Sequence, residues 1–202
     1  MKEILFAGVG GQGVVLLSKL LASAYVEKGY FIKTTETIGM AQMGGSVTSH
    51  LRGSKDKIHS PFLVEGTADI VFGFEPSEVL RNSRYLNSDT KIILHDVAIK
   101  PVTDTLSDMD YDGIRILDII KRDFKNVYIC NFSKLFEQIG TDKPMNIGLL
   151  GVAIGLDVLG IGYDEAIDIL KTNLPKKVLE KNLLAFEEGY KLGKSKGEKN
   201  ER

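Results

Sequence analysis

A short apolar run at residues 2–7 (KEILFA) breaks off into the glycines of residues 8–13. Beyond them Val14, Leu17, Leu21 and Ala24 recur at helical spacing, and Leu16 and Leu20 widen the stripe. Lys28-Gly29 closes that helix with a cation in the last turn and a glycine at its end. Residues 30–37 carry the β-branched and aromatic side chains of a second strand. Strand, glycine turn, helix and strand make one βαβ unit, with parallel strands and a right-handed connection.

Residues 39–45 (GMAQMGG) are too glycine-rich for a helix interior and form a second loop. Residues 46–52 and 57–60 flank Gly53-Ser54-Lys55-Asp56 and are expected to form a hairpin, ended by Pro61. Residues 69–74 (DIVFGF) predict a buried strand. The next residues, Glu75-Pro76-Ser77, suit a helix start, with proline at the first position. Further strands are expected at 91–94, ending at His95-Asp96, and at 126–131, with Ser133 capping a short helix. From Pro144 onward the pattern is helical only. Residues 146–159 are apolar nearly all round and should be buried, while 163–172 and 176–192 are amphipathic. The whole predicts an α/β fold of Rossmann-like type: a mostly parallel sheet, helices on both faces and a helical C-terminal part. Residues 1–192 form a single domain on this reading, and 193–202 a polar, disordered tail.

Composition narrows the function. The 202 residues carry 26 Lys+Arg against 27 Asp+Glu, a balance that gives no basic field for nucleic acid. No apolar stretch approaches the roughly 20 residues that span a bilayer, and no targeting segment is expected. The single cysteine, Cys130, can build neither a disulfide nor a cluster site and points to a reducing, cytoplasmic setting. It sits in an apolar strand pattern, as a small buried hydrophobe would. His50, His59 and His95 lack metal-ligand spacing, so no metal is expected in this chain. His95-Asp96 stands at the end of a strand, where catalytic groups often sit, although polar residues commonly end strands. Glu75 and Asn146 are accounted for as helix-start residues, and Lys176-Lys177 as a solvated one.

The glycines carry the candidate chemistry. Gly8-Val9-Gly10-Gly11-Gln12-Gly13 is a G-x-G-x-x-G run between a strand and a helix, the context in which it contacts phosphate. Tight packing of the turn explains it equally. A dinucleotide also needs an acidic residue at the end of the next strand, and Glu36 stands near that place. That strand runs on into the second glycine loop, however. Both loops are expected at one carboxyl edge of the sheet, as an extended surface rather than one adenosine slot. A free-standing NAD(P) or FAD enzyme and a purely structural assembly module stay open beside a ligand-binding role.

Four stretches taken in order resemble a known family: GVGGQG at 8–13, ETIGMAQMGGSV at 36–47, SPFLVEGTADIVFGFEPSEVLR at 60–81 and NIGLLGV at 146–152, with KKVLEKNLLAFEEGY at 176–190 fitting too. The chain resembles the gamma-type subunits of 2-oxoacid:ferredoxin oxidoreductases, most closely those of the indolepyruvate branch. The resemblance implies a non-thiamine subunit of an enzyme that oxidatively decarboxylates arylpyruvates to acyl-CoA and reduces ferredoxin. It implies no cofactor in this chain, with thiamine diphosphate, magnesium and [4Fe-4S] clusters in a partner alpha subunit. Coenzyme A is the co-substrate, and the isolated chain is expected to be inactive. The site residues it suggests are Gly8, Gly10, Gly11, Gln12, Gly13, Gly44, Gly45 and Ser46, completing the active site or a coenzyme A channel; no catalytic residue is assigned. Position 43 departs from the pattern: relatives commonly have arginine there, and this chain has Met43.

Overall fold

The computed structural model describes residues 1–39, 44–97 and 113–200. Six strands form one sheet in the order β2-β3-β1-β4-β5-β6. They are β1 (Lys2–Val9), β2 (Phe31–Ile38), β3 (Ser46–Ser54), β4 (Ile70–Gly73), β5 (Lys91–His95) and β6 (Val127–Cys130). Strands β1, β4, β5 and β6 are parallel neighbours. Strand β3 runs antiparallel to both β1 and β2. The first βαβ unit is therefore split: β1 and β2 point the same way, but β3 lies between them. The hairpin expected from 46–52 with 57–60 does not form. Strand β3 folds back on β2 instead, with Ile38 opposite Val47, and residues 57–60 are irregular. The second glycine loop is thus a hairpin bend, and the Gly53-Ser54 signal only marks where β3 ends.

Side chains of the central strands alternate between two cores, as a sheet covered on both faces requires. Ile4, Phe6, Ile70, Phe72 and Ile93 join one core, which also takes in α1 (Val14–Glu27), α5 (Met145–Gly155) and α6 (Tyr163–Asn173). Leu5, Val71, Ile92 and Leu94 face the other, under α2 (Pro76–Arg81) and α3 (Gly113–Asp123). Helix α3 was not expected, although Ile116, Leu117 and Ile120 repeat at helical spacing.

All 11 residues of α5 are buried, as its apolar character demands. Its outer side meets α7 (Lys176–Asn200) almost backbone to backbone. A β-carbon on Gly151 would lie 2.2 Å from the Phe186 carbonyl oxygen, and one on Gly193 2.3 Å from that of Val152. Helix α7 runs on to Asn200, well past residue 192, where polar composition suggested a tail. Gly193, the first residue of that expected tail, is a packing position there. The remaining helix, α4 (Ser133–Ile139), has Phe132 at its N-cap. Ser133 does not cap it; its amide donates to Asn131 Oδ1 at 2.9 Å.

Candidate functional site

The first glycine loop leaves the carboxyl end of β1 and is knotted by its own glutamine. Val9 N donates to Gln12 Oε1 at 2.8 Å, and Gln12 Nε2 donates to the Phe74 carbonyl at 3.1 Å. The amide side chain is thereby spent on holding the turn to the end of β4. Gly8 has no room for a side chain, since a β-carbon would lie 2.7 Å from Phe74 Cβ and 2.8 Å from Gln12 Oε1. Gly13 sits at φ 77°, and a β-carbon there would lie 2.4 Å from Asn146 Nδ2. Its carbonyl accepts from Asn146 Nδ2 at 3.2 Å as well as from Leu17 N at 3.1 Å. The third glycine thus makes room for α5 rather than for the sheet alone. Asn146 is no helix cap, because Pro144 occupies that place; its function is to grip the loop.

Helix α1 starts without a side-chain cap and without an acidic residue in its first turn. Among the described residues the Gly11 and Gly13 amides have no backbone acceptor. Uncapped amides at the positive end of a 14-residue helix favour an anion.

The second loop is fastened to the first. Gly10 N donates to the Gly45 carbonyl at 2.8 Å and Gly44 N to the Gly10 carbonyl at 3.2 Å. Gly39 N, donating to the Ser46 carbonyl at 2.8 Å, closes the bend at its base. The structure therefore places Gly8, Gly10, Gly11, Gln12, Gly13, Gly44, Gly45 and Ser46 on one edge. The hydroxyl of Ser46 is engaged inside the protein, donating to Glu78 Oε2 at 2.6 Å. Residues 40–43, including Met43, lie outside the described residues.

Two hollows flank this rim. An apolar groove runs past Val9, Gly10, Val15, Leu16, Ile38 and Val47. A small cleft of about 90 Å³ is lined by Gly11, Gln12, His95, Asp142, Lys143 and Met145. His95 ends β5 and stacks 6.0 Å from the Phe132 ring. Both its ring nitrogens are buried with no hydrogen-bond partner among the described residues. Burial pulls its pKa below the ordinary histidine value, and the nearby carboxylates of Asp96 and Asp142 only partly oppose this. A neutral imidazole results.

The other candidates have structural explanations. His50 accepts from Leu63 N at 3.3 Å between the Phe62 and Tyr85 rings, and burial lowers its pKa too. Glu75 is fully buried as the N-cap of α2, accepting from Glu78 N at 3.1 Å. Cys130 is buried, and desolvation pushes its thiol up to about 12, so it is inert as a nucleophile. Lys176 and Lys177 are exposed. Glu36 pairs opposite Ser49 on the edge strand, so β3 separates it from the first glycine loop. The neighbouring-strand geometry of a dinucleotide site is absent.

Two residues of the rim escaped the sequence: Glu78 of α2 and the carbonyl of Phe74, just past β4, reach the loops only through the fold. Asn146, read in the sequence as a helix-start residue, reaches them from α5.

The family model described as pyruvate ferredoxin/flavodoxin oxidoreductase matches residues 3–192. A relative from Archaeoglobus fulgidus, named indolepyruvate oxidoreductase subunit IorB, is 31% identical over 189 residues, which are 93% of each chain. The gamma subunit of a keto/oxoacid ferredoxin oxidoreductase from Geobacter sulfurreducens PCA has a similar fold. Its TM-score is 0.66 at 18% identity, covering 96% of this chain and 99% of that one. A 2-oxoglutarate:ferredoxin oxidoreductase from Magnetococcus marinus, solved with 2-oxoglutarate, coenzyme A and succinyl-CoA bound, gives 0.67 at 20% identity. The match covers 96% of this chain but 31% of that one, so the same fold also occurs within a longer chain.

Proposed function

The chain belongs to the pyruvate ferredoxin/flavodoxin oxidoreductase family, and on that footing we propose that it is the non-thiamine subunit of an arylpyruvate:ferredoxin oxidoreductase. The complex would convert a 2-oxoacid anion, coenzyme A and two oxidised ferredoxins into acyl-CoA, carbon dioxide, two reduced ferredoxins and a proton. Indolepyruvate is the favoured substrate, because the A. fulgidus relative that bears that name aligns over 93% of this chain. Thiamine diphosphate, magnesium and [4Fe-4S] clusters belong to a partner alpha subunit in this reading. Thiamine diphosphate supplies the electron sink for the carbanion left by decarboxylation. The present chain binds and shields. Its Gly11 and Gly13 amides and the first turn of α1 face an anion such as the coenzyme A diphosphate, with the Lys143 ammonium at the neighbouring cleft. A cytoplasmic setting goes with this role, supported by the free thiol of Cys130 in the core. Among the described residues no helix is long and apolar enough to cross a membrane.

The observation that carries the proposal is the pair of glycine loops locked together on one sheet edge beside an uncapped helix start. A packing role alone would not leave those amides open.

Co-expression with the thiamine-bearing subunit tests it. The two chains should co-purify, and indolepyruvate-dependent ferredoxin reduction should require both. Gly10→Val should then abolish turnover while the complex still assembles. Full activity of the large subunit alone would overturn the assignment. Wild-type turnover by Gly10→Val would reduce the loops to scaffolding.

A further inference from the structure

The second glycine loop is anchored on α2, and the first on the residue that leads into its N-cap. The first is held through Gln12 Nε2, which donates to the carbonyl of Phe74, the residue before the N-cap of α2. The second reaches α2 through Ser46 Oγ, which donates to Glu78 Oε2 at 2.6 Å. Glu78 is 2% exposed. Its other oxygen accepts from Arg81 Nε at 3.2 Å, and its own amide donates to Glu75 Oε2 at 3.1 Å. A carboxylate so buried is costly unless every oxygen is used, and here the glycine bend supplies one of the donors. Ser46 is also the residue whose carbonyl closes the bend onto Gly39 N. One residue therefore fixes both the mouth of the loop and its distance from α2.

We propose that Ser46 and Glu78 are positioning residues: their hydrogen bond holds the second glycine loop in register with the first, so that the joint rim meets coenzyme A in one geometry. Ser46 thus serves the ligand through the loop it holds, and its hydroxyl is not a ligand donor. The inference rests on the proposed role of this edge in coenzyme A binding.

The assembled two-subunit enzyme carrying Ser46→Ala tests it, with Ser46→Thr as the conservative rescue. Losing a hydrogen bond to a charged acceptor should raise KM for coenzyme A about tenfold, with kcat within about twofold of the native value. Ser46→Thr, which keeps the hydroxyl, should restore KM. Independently of turnover, amide exchange at Gly10 and Gly44 should quicken by about fivefold or more in Ser46→Ala and return to normal in Ser46→Thr. An unchanged exchange rate in Ser46→Ala overturns the latch. Quickened exchange with unchanged KM shows a latch that positions nothing for coenzyme A, and overturns the assigned role. A native complex whose turnover ignores coenzyme A defeats the underlying functional reading instead, and exchange still decides the latch.

Discussion

At Gly13 the chain meets two demands at once, a φ of 77° and no β-carbon, because one would lie 2.4 Å from Asn146 Nδ2. The glycine was legible as part of a spacing motif. Its reason was not, since Asn146 is 133 positions away and reads locally as a helix-start residue. Ser46 and Glu78 repeat the lesson, for a buried carboxylate looks like any surface one until the bend lands on it. His95 differs, because its place at a strand end was visible but its lack of partners among the described residues was not. The unfolded chain protonates near the ordinary value of 6.5, while burial keeps folded His95 neutral to lower pH. Protonation therefore favours the unfolded state, and this contribution to stability is lost as pH falls below 6.5. His50, shifted the same way, adds to the slope. His95→Phe removes a polar ring with no partner among the described residues and keeps the stacking on Phe132. The variant should melt no lower than the native chain at about pH 7.5 and lose less melting temperature on going to about pH 5.5. Calorimetric scans at the two pH values check both. If ferredoxin reduction collapses in a variant that folds this well, His95 touches the chemistry.

Among the elements, the strands of the parallel core and the C-terminal helices were readable because each obeys one period over its length. The failures came where a strong local signal competed with a distant partner. Residues 46–60 carry turn residues in the right place for a hairpin, yet β3 finds the eight residues of β2 across the glycine bend, a longer and more β-branched mate. In α7 it was composition that misled: the polar stretch from 193 reads as a tail, yet Gly189 and Gly193 are where α5 and α7 touch. Gly151→Ala places a methyl group 2.2 Å from a backbone oxygen that cannot rotate away. It should cost about 3 kcal/mol or more in a denaturant titration. Gly197, in the same helix as Gly189 and Gly193, has nothing within 4 Å of the corresponding position. Gly197→Ala should instead gain about 0.5–1 kcal/mol, as an alanine in an open helical site does. Equal effects from the two substitutions would mean that the helices are not packed as described.

The class of fold followed from alternating periods, but the insertion of β3 between β1 and β2 had no signature, because strand order is a property of long-range pairing. That insertion also removes Glu36 from reach of the first loop, which is why the dinucleotide reading loses its geometry. The closed bend also has a mechanical side. Gly39 is bonded to Ser46, and Gly44 and Gly45 to Gly10, so displacing one glycine loop breaks hydrogen bonds of the other and a load on either is carried by both.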